Sequence, residues 1–178
     1  MCRAVDAAPI ARSLRCMTDA FAALHFPRRP WLDASAVRAA FQRLAAGAHP
    51  DRAGSTSAFA ELSRAYETLR DPALRLRHFL ALEQPALAAP REIPGDLIDW
   101  FPRVGARLQA LKAGDSTDAR STLAALCALR EEAHARIREI GAGAAVTEFE
   151  ELARLLARLG FLDKWIAQLG EALLAREM

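Results

Sequence analysis

The sequence predicts an all-α protein made of two helical blocks joined by a proline-rich connection. Three observations carry that expectation. Ala, Leu, Arg and Glu dominate the 178 residues, while aromatics stand at 7%, and unbranched side chains lose little freedom in a helix. Apolar residues recur at three- and four-residue spacings over most of the chain, and no stretch alternates with the period of two expected of an exposed strand. That spacing lapses between Gln84 and Gly95, where Pro85, Pro90 and Pro94 fall, and residues 84–95 therefore read as a linker.

Each element follows in order. Residues 1–17 show no sustained period and read as a disordered arm. Thr18 is a candidate cap for a short helix holding Phe21 and Leu24, closed by Pro27 and Pro30. Asp33 is the candidate N-cap of a second helix with Val37, Phe41 and Leu44 on one stripe, ending at Gly47. A third helix from about Ser57 carries Phe59, Leu62, Tyr66 and Leu69. Asp71-Pro72 then supplies a cap and a first-turn proline for a fourth helix with Leu76, Phe79 and Leu80. After the linker, Leu97, Ile98, Phe101, Val104, Leu108 and Leu111 mark a helix that Pro102 must either kink or delay. Leu123, Leu126, Ala133, Ile137 and Ile140 mark the next, which Gly141 and Gly143 are expected to end. Thr147 and Glu150 form a capping box that introduces a last helix with Phe149, Leu152, Leu156, Leu159, Leu162, Ile166, Leu169 and Leu173. The expected division is 18–83 for the first block, 84–95 for the linker and 96–178 for a three-helix bundle.

Composition and motifs exclude several functions. With 24 Lys+Arg against 22 Asp+Glu, the chain lacks the concentrated positive charge that a nucleic-acid backbone demands. Cys2, Cys16 and Cys127 are an odd number without paired spacing, so neither a disulfide framework nor a structural zinc site is expected. Arginines interrupt every apolar run, and residues 1–15 contain no apolar core of a secretory signal. A cytoplasmic protein without a membrane partner is the expectation. There is no phosphate-binding glycine loop, no HExxH and no GxSxG. His25, His49, His78 and His134 are scattered. No cofactor and no catalytic activity are expected.

One short motif stands apart by its position. His49-Pro50-Asp51 falls between the second and third helices, where proline fixes its own φ and disfavours helix at the residue before it. An imidazole and a carboxylate then flank a stiff residue. A short helix, a longer one ending in His-Pro-Asp, a third helix with an aromatic-rich face and a short fourth together resemble the J domain, from Thr18 to Leu82. Asp71-Pro72-Ala73-Leu74-Arg75 is similar to the start of that family's fourth helix. The resemblance implies that His49, Pro50 and Asp51 contact a DnaK-class chaperone and stimulate its ATPase, with Arg38, Arg43 and Arg52 as the nearby cations. The turn before the motif, Ala45-Ala46-Gly47-Ala48, lacks the basic residues usual in that family, which implies a slower and less salt-dependent encounter.

The second block extends the resemblance. Leu159-Gly160-Phe161-Leu162-Asp163-Lys164 resembles the C-terminal helix of the HscB/Jac-type co-chaperones of iron–sulfur cluster assembly. Their order of J domain, short linker and three-helix bundle is also matched, from Thr18 to Ala175. The resemblance implies an IscU-like scaffold protein as client and an HscA-class chaperone as partner. The implied client contact is Leu97, Ile98, Phe101 and Phe161. Beyond Asp99, however, Pro102, Arg103 and Gly105 stand where relatives carry an acidic run. Two alternatives remain open at this stage: a J protein for another client, and a helical adaptor that no longer engages a chaperone.

Overall fold

In the computed structural model, which describes residues 18–48, 55–89, 92–142 and 148–177, every regular element among the described residues is helical. The order is α1 (Ala20–Ala23), α2 (Ala34–Ala48), α3 (Thr56–Arg70), α4 (Pro72–Glu83), α5 (Trp100–Lys112), α6 (Ala119–Ala142) and α7 (Phe149–Glu177), with single 3-10 turns at Pro85–Leu87 and Gly95–Leu97. The all-α expectation holds.

Local chemistry sets most helix starts. Asp19, rather than Thr18, caps α1: its carboxylate accepts from the backbone N–H groups of Phe21 (2.9 Å) and Ala22 (3.3 Å). Arg28 donates to the same carboxylate at 2.9 Å and to Glu83 at 3.1 Å, tying α1 to the end of α4. Asp33 accepts from the N–H of Ala36 at 2.9 Å at the start of α2, and the Ser35 hydroxyl donates to it as well. Asp71 caps α4 through the N–H of Leu74 at 2.8 Å, with Pro72 in the first turn. Each arrangement satisfies N–H groups that a helix start leaves open. Thr147, half of the expected capping box, lies outside the described residues, as do residues 1–17 with Cys2 and Cys16.

Pro102 delays its helix. α5 begins at Trp100, so Pro102 falls in the first turn, where a backbone N–H would have no helical acceptor in any case. Leu97 and Ile98 consequently lie at the 3-10 turn ahead of α5. Gly114 adopts φ +100° in the α5–α6 turn, a conformation that favours glycine. Arg176 reaches across from the end of α7 to donate to the carbonyl of Leu111 at 2.8 Å.

Two hydrophobic cores result. One gathers Phe21, Leu24, Val37, Leu69, Leu76, Phe79 and Leu80 from the N-terminal block with Ala133, Ile137 and Ile140 of α6 and Leu152, Leu156 and Leu159 of α7. The other joins Leu97, Val104 and Leu111 to Leu126 of α6 and to Leu162, Trp165, Leu169 and Leu173 of α7. The long helices α6 and α7 therefore serve both. Arg136 of α6 grips Glu151 of α7 with two hydrogen bonds, at 2.7 and 3.1 Å. This fork holds the Glu151 carboxyl below its ordinary range.

The N-terminal block locks onto the bundle at Trp31. Arg75, fully buried, donates to the carbonyls of Pro30 (3.2 Å) and Leu69 (2.7 Å) and lies 5.3 Å from the Trp31 ring centroid. Arg138 of α6 sits over the same ring at 4.5 Å. Burial pushes the Arg75 guanidinium down to about 10, so it stays charged at neutral pH. α6 runs to Ala142, between the two glycines expected to end it; Gly143 lies outside the described residues, and Gly141, in the last turn, is buried against Trp31. A Cβ there would stand 2.8 Å from the Trp31 Cβ and 3.2 Å from its backbone nitrogen. The glycine is present for close approach.

Candidate functional site

Two surfaces bear on function. The first is the end of the α2–α3 pair, whose frame is set by Val37 and Ala40 in the core and by Phe41, which stacks on Tyr66 at 4.5 Å with 17° between the rings. α2 runs to Ala48 and α3 starts at Thr56 after Ser55. His49, Pro50, Asp51 and Arg52 lie outside the described residues. Arg38 and Arg43 are exposed along α2. Gly47 has nothing within 4 Å of the position a Cβ would take, so the last turn of α2 is bare.

The second surface lies where α5 meets α7. Leu97 is 0% exposed and packs the distal core, so the structure removes it from the expected client contact. Its neighbour Ile98 is 57% exposed and Phe101 is 39% exposed. Both stand at the 3-10 turn ahead of α5, where successive residues point about 120° apart, so one faces the core while the next reaches solvent. Phe101 meets Phe161 edge-on at 5.4 Å and Trp165 edge-on at 4.9 Å. Phe161 and Trp165 lie 5.8 Å apart. Edge-to-face geometry at these distances is the favoured one for aromatic pairs. Phe101 and Phe161 thus share one apolar patch, anchored by a buried Trp165, with the exposed Ile98 one turn before Phe101.

Trp165 is the residue the sequence reading passed over. It stands four residues after Phe161 on α7, so the helical spacing was visible, but the same spacing reads equally as a core stripe. The charges beside the patch are mixed. Asp163 faces Arg130 of α6 at 3.8 Å. Burial raises the Asp163 carboxyl above its ordinary range, with the Arg130 charge opposing. Arg103 covers the Trp100 ring at 5.5 Å. Among the described residues no group of three or more His, Cys, Asp or Glu is placed to hold a metal ion, and no helix is long and apolar enough to cross a membrane. The patch has the chemistry of a protein-docking surface, apolar at its centre with polar groups around it.

Known proteins bear on both blocks. The DnaJ domain family matches residues 19–78, which makes the N-terminal block a J domain. The solved structure of the chaperone HscB from Vibrio cholerae is similar over 86% of this chain and 96% of its own, with a TM-score of 0.66 and 18% sequence identity. At that identity the likeness shows the fold: a J domain followed by a helical C-terminal region, as the sequence resemblance implied. A search of the curated proteins finds no match.

Proposed function

We propose that this J-domain protein is a co-chaperone that stimulates the ATPase of a DnaK/HscA-class chaperone through His49-Pro50-Asp51 and delivers an IscU-like iron–sulfur scaffold protein to it. The observation that carries the reading is the J-domain match over residues 19–78, a span that contains the tripeptide between α2 and α3. The HscB-like fold supports the choice of client, and the Phe101–Phe161 patch, with Ile98 one turn before Phe101, offers it a surface.

The chemistry is one of binding. Asp51 offers a carboxylate to a guanidinium of the chaperone, a charge-assisted bond whose loss in a desolvated interface costs about 2–5 kcal/mol. The pyrrolidine ring of a proline fixes its own φ, which lowers the ordering cost of docking. The J domain supplies no group to the reaction itself; it shifts the chaperone toward its hydrolysing conformation. Arg38, Arg43 and Arg52 assist the encounter by charge.

Steady-state ATPase measurements with a DnaK-class chaperone test this. The wild type raises turnover, Asp51→Asn and His49→Gln abolish the rise while retaining helical content and melting temperature, and added scaffold protein increases the stimulation further. Equal stimulation by wild type and Asp51→Asn defeats the J-protein mechanism. Pro102, Arg103 and Gly105, which stand in α5 where the sequence resemblance would have an acidic run, favour a second reading in which the client is a different protein. In that case stimulation persists, but the scaffold neither adds to it nor is recovered from the source cell in a pull-down.

A further inference from the structure

Phe161 faces two ways. Besides meeting Phe101 and Trp165, it lines a groove of about 440 Å³ between α7 and the connection that follows α4. Ala157, Gly160 and Lys164 line it from α7, Ile93 from the connection, and Arg77 from the J domain's last helix. The groove is therefore continuous with the aromatic patch through a shared side chain.

Three features of the groove have no explanation within the chain. Ile93 leaves half of its surface in water. Gly160 interrupts the middle of a 29-residue helix, and nothing lies within 4 Å of where its Cβ would be. A helix-interior glycine lowers helix stability relative to alanine, and here no neighbouring side chain requires the space. Arg77 and Lys164 are exposed and make no ion pair among the described residues; Glu92 is the one carboxylate on the same lining.

Resting on the client reading above, we propose that the client surface continues from Phe101 and Phe161 across Gly160 into this groove. Its occupant is an apolar segment of the client that carries an acidic side chain. The apolar part lies against Ile93 and the bare backbone at Gly160, where the missing Cβ permits close approach. The carboxylate meets Arg77 and Lys164, which outnumber the single acid beside them. Because Arg77 belongs to α4, the client touches the J domain and the bundle together, so client binding and chaperone docking are held in one geometry.

Calorimetric titration of the full chain with purified scaffold protein, beside thermal melts, tests this. Gly160→Ala is expected to melt higher than wild type yet bind at least about fivefold more weakly. A role confined to folding would not give those opposite signs. Arg77→Glu is expected to weaken binding about fivefold at low salt, with the difference shrinking as salt rises, and to leave client-free ATPase stimulation unchanged. Wild-type affinity in both variants, with Phe101→Ala losing binding, overturns the groove and leaves the client reading intact. Wild-type affinity in Phe101→Ala as well, or no binding by the wild type itself, counts against both.

Discussion

Trp31 and Trp165 sit at opposite kinds of junction in this molecule. Trp31, partly exposed, is held by partners of its own chain: guanidinium groups of Arg75 and Arg138 at 5.3 and 4.5 Å from its ring, and the Gly141 backbone against its Cβ. These partners come from α4 and α6. Trp165 is buried, but the two rings packed against it, Phe101 and Phe161, reach the surface, and the exposed Ile98 stands one turn before Phe101. The first tryptophan ties the N-terminal block to α6 within the chain. The second anchors an apolar surface left open. Rigidity at one and availability at the other is the arrangement a protein needs if it holds two partners in a fixed relation.

Removing Arg75 should break that comparison with the largest effect. Its guanidinium is fully buried and supplies the hydrogen bonds to the Pro30 and Leu69 carbonyls as well as one face of the Trp31 stack. Arg75→Ala leaves two buried acceptors without donors and a cavity beside the ring. The expected loss is about 3–5 kcal/mol in urea unfolding. Phe101→Ala, at a partly exposed position, is expected to cost about 1 kcal/mol or less. If the two variants unfolded at the same urea concentration, the distinction between a tryptophan that ties the chain together and one that anchors an open surface would be lost.

Gly141→Ala sharpens the same contrast at smaller magnitude. The added methyl would meet Trp31 at 2.8 Å, and the neighbouring atoms include backbone, which cannot swing aside as a flexible side-chain tip can. An expected destabilisation of about 1–3 kcal/mol follows, seen as a lower melting temperature. At Gly160 the same substitution is expected to raise it. Two glycines on neighbouring helices, changed to the same residue, should move stability in opposite directions.

Those glycines also mark where the sequence stops being legible. Asp33 and Asp71-Pro72 were readable as helix starts because the signal is local: an acceptor side chain, open N–H groups, and a proline placed where it loses no bond. Pro102 was readable as a constraint, and its first-turn position resolves the choice between kink and late start. Glycine often marks a helix end, and Gly141 does stand one residue before the end of α6. Its actual reason is a tertiary approach to a residue 110 positions away, which leaves no local trace. The sharing of one core by α1 to α4 and by parts of α6 and α7 is equally invisible in periodicity, since a stripe shows that a face is buried and not against what. At the candidate site, Leu97 and Ile98 looked alike in sequence, and only the turn ahead of α5 separates them. The His-Pro-Asp motif is the reverse case: its recognition comes from sequence, and its residues lie outside those described.

The smallest expected effect lies in the first core and concerns a single proton. His78 of α4 is buried, and its Nε2 accepts from the backbone N–H of Ala20 at 3.0 Å, which places the imidazole proton on Nδ1. Its ring stacks on Phe21 at 5.7 Å, and Nδ1 is buried without a partner among the described residues. A second proton on Nε2 would break the bond to Ala20 and bring a cation to the start of α1. Burial accordingly pushes the His78 pKa below its ordinary value of 6.5; the Asp19 carboxylate at 4.0 Å opposes this and the Arg28 charge adds to it. Glu61 and Arg64 of α3 line the same cavity as His78. The sign follows from linkage: as pH falls through 6.5 the unfolded chain gains a proton that the folded chain resists, so stability is complete above that value and declines below it. Asp19, Asp33 and Glu151 have carboxyls held below their ordinary range and respond only at lower pH. Melting temperatures between about pH 7.5 and 5.5 are the measurement. The wild type should lose stability over that interval more steeply than His78→Gln, which can keep an acceptor for Ala20 but carries no titrating group. Parallel profiles would show that the buried imidazole makes no contribution to the acid response and that the first core tolerates the charge.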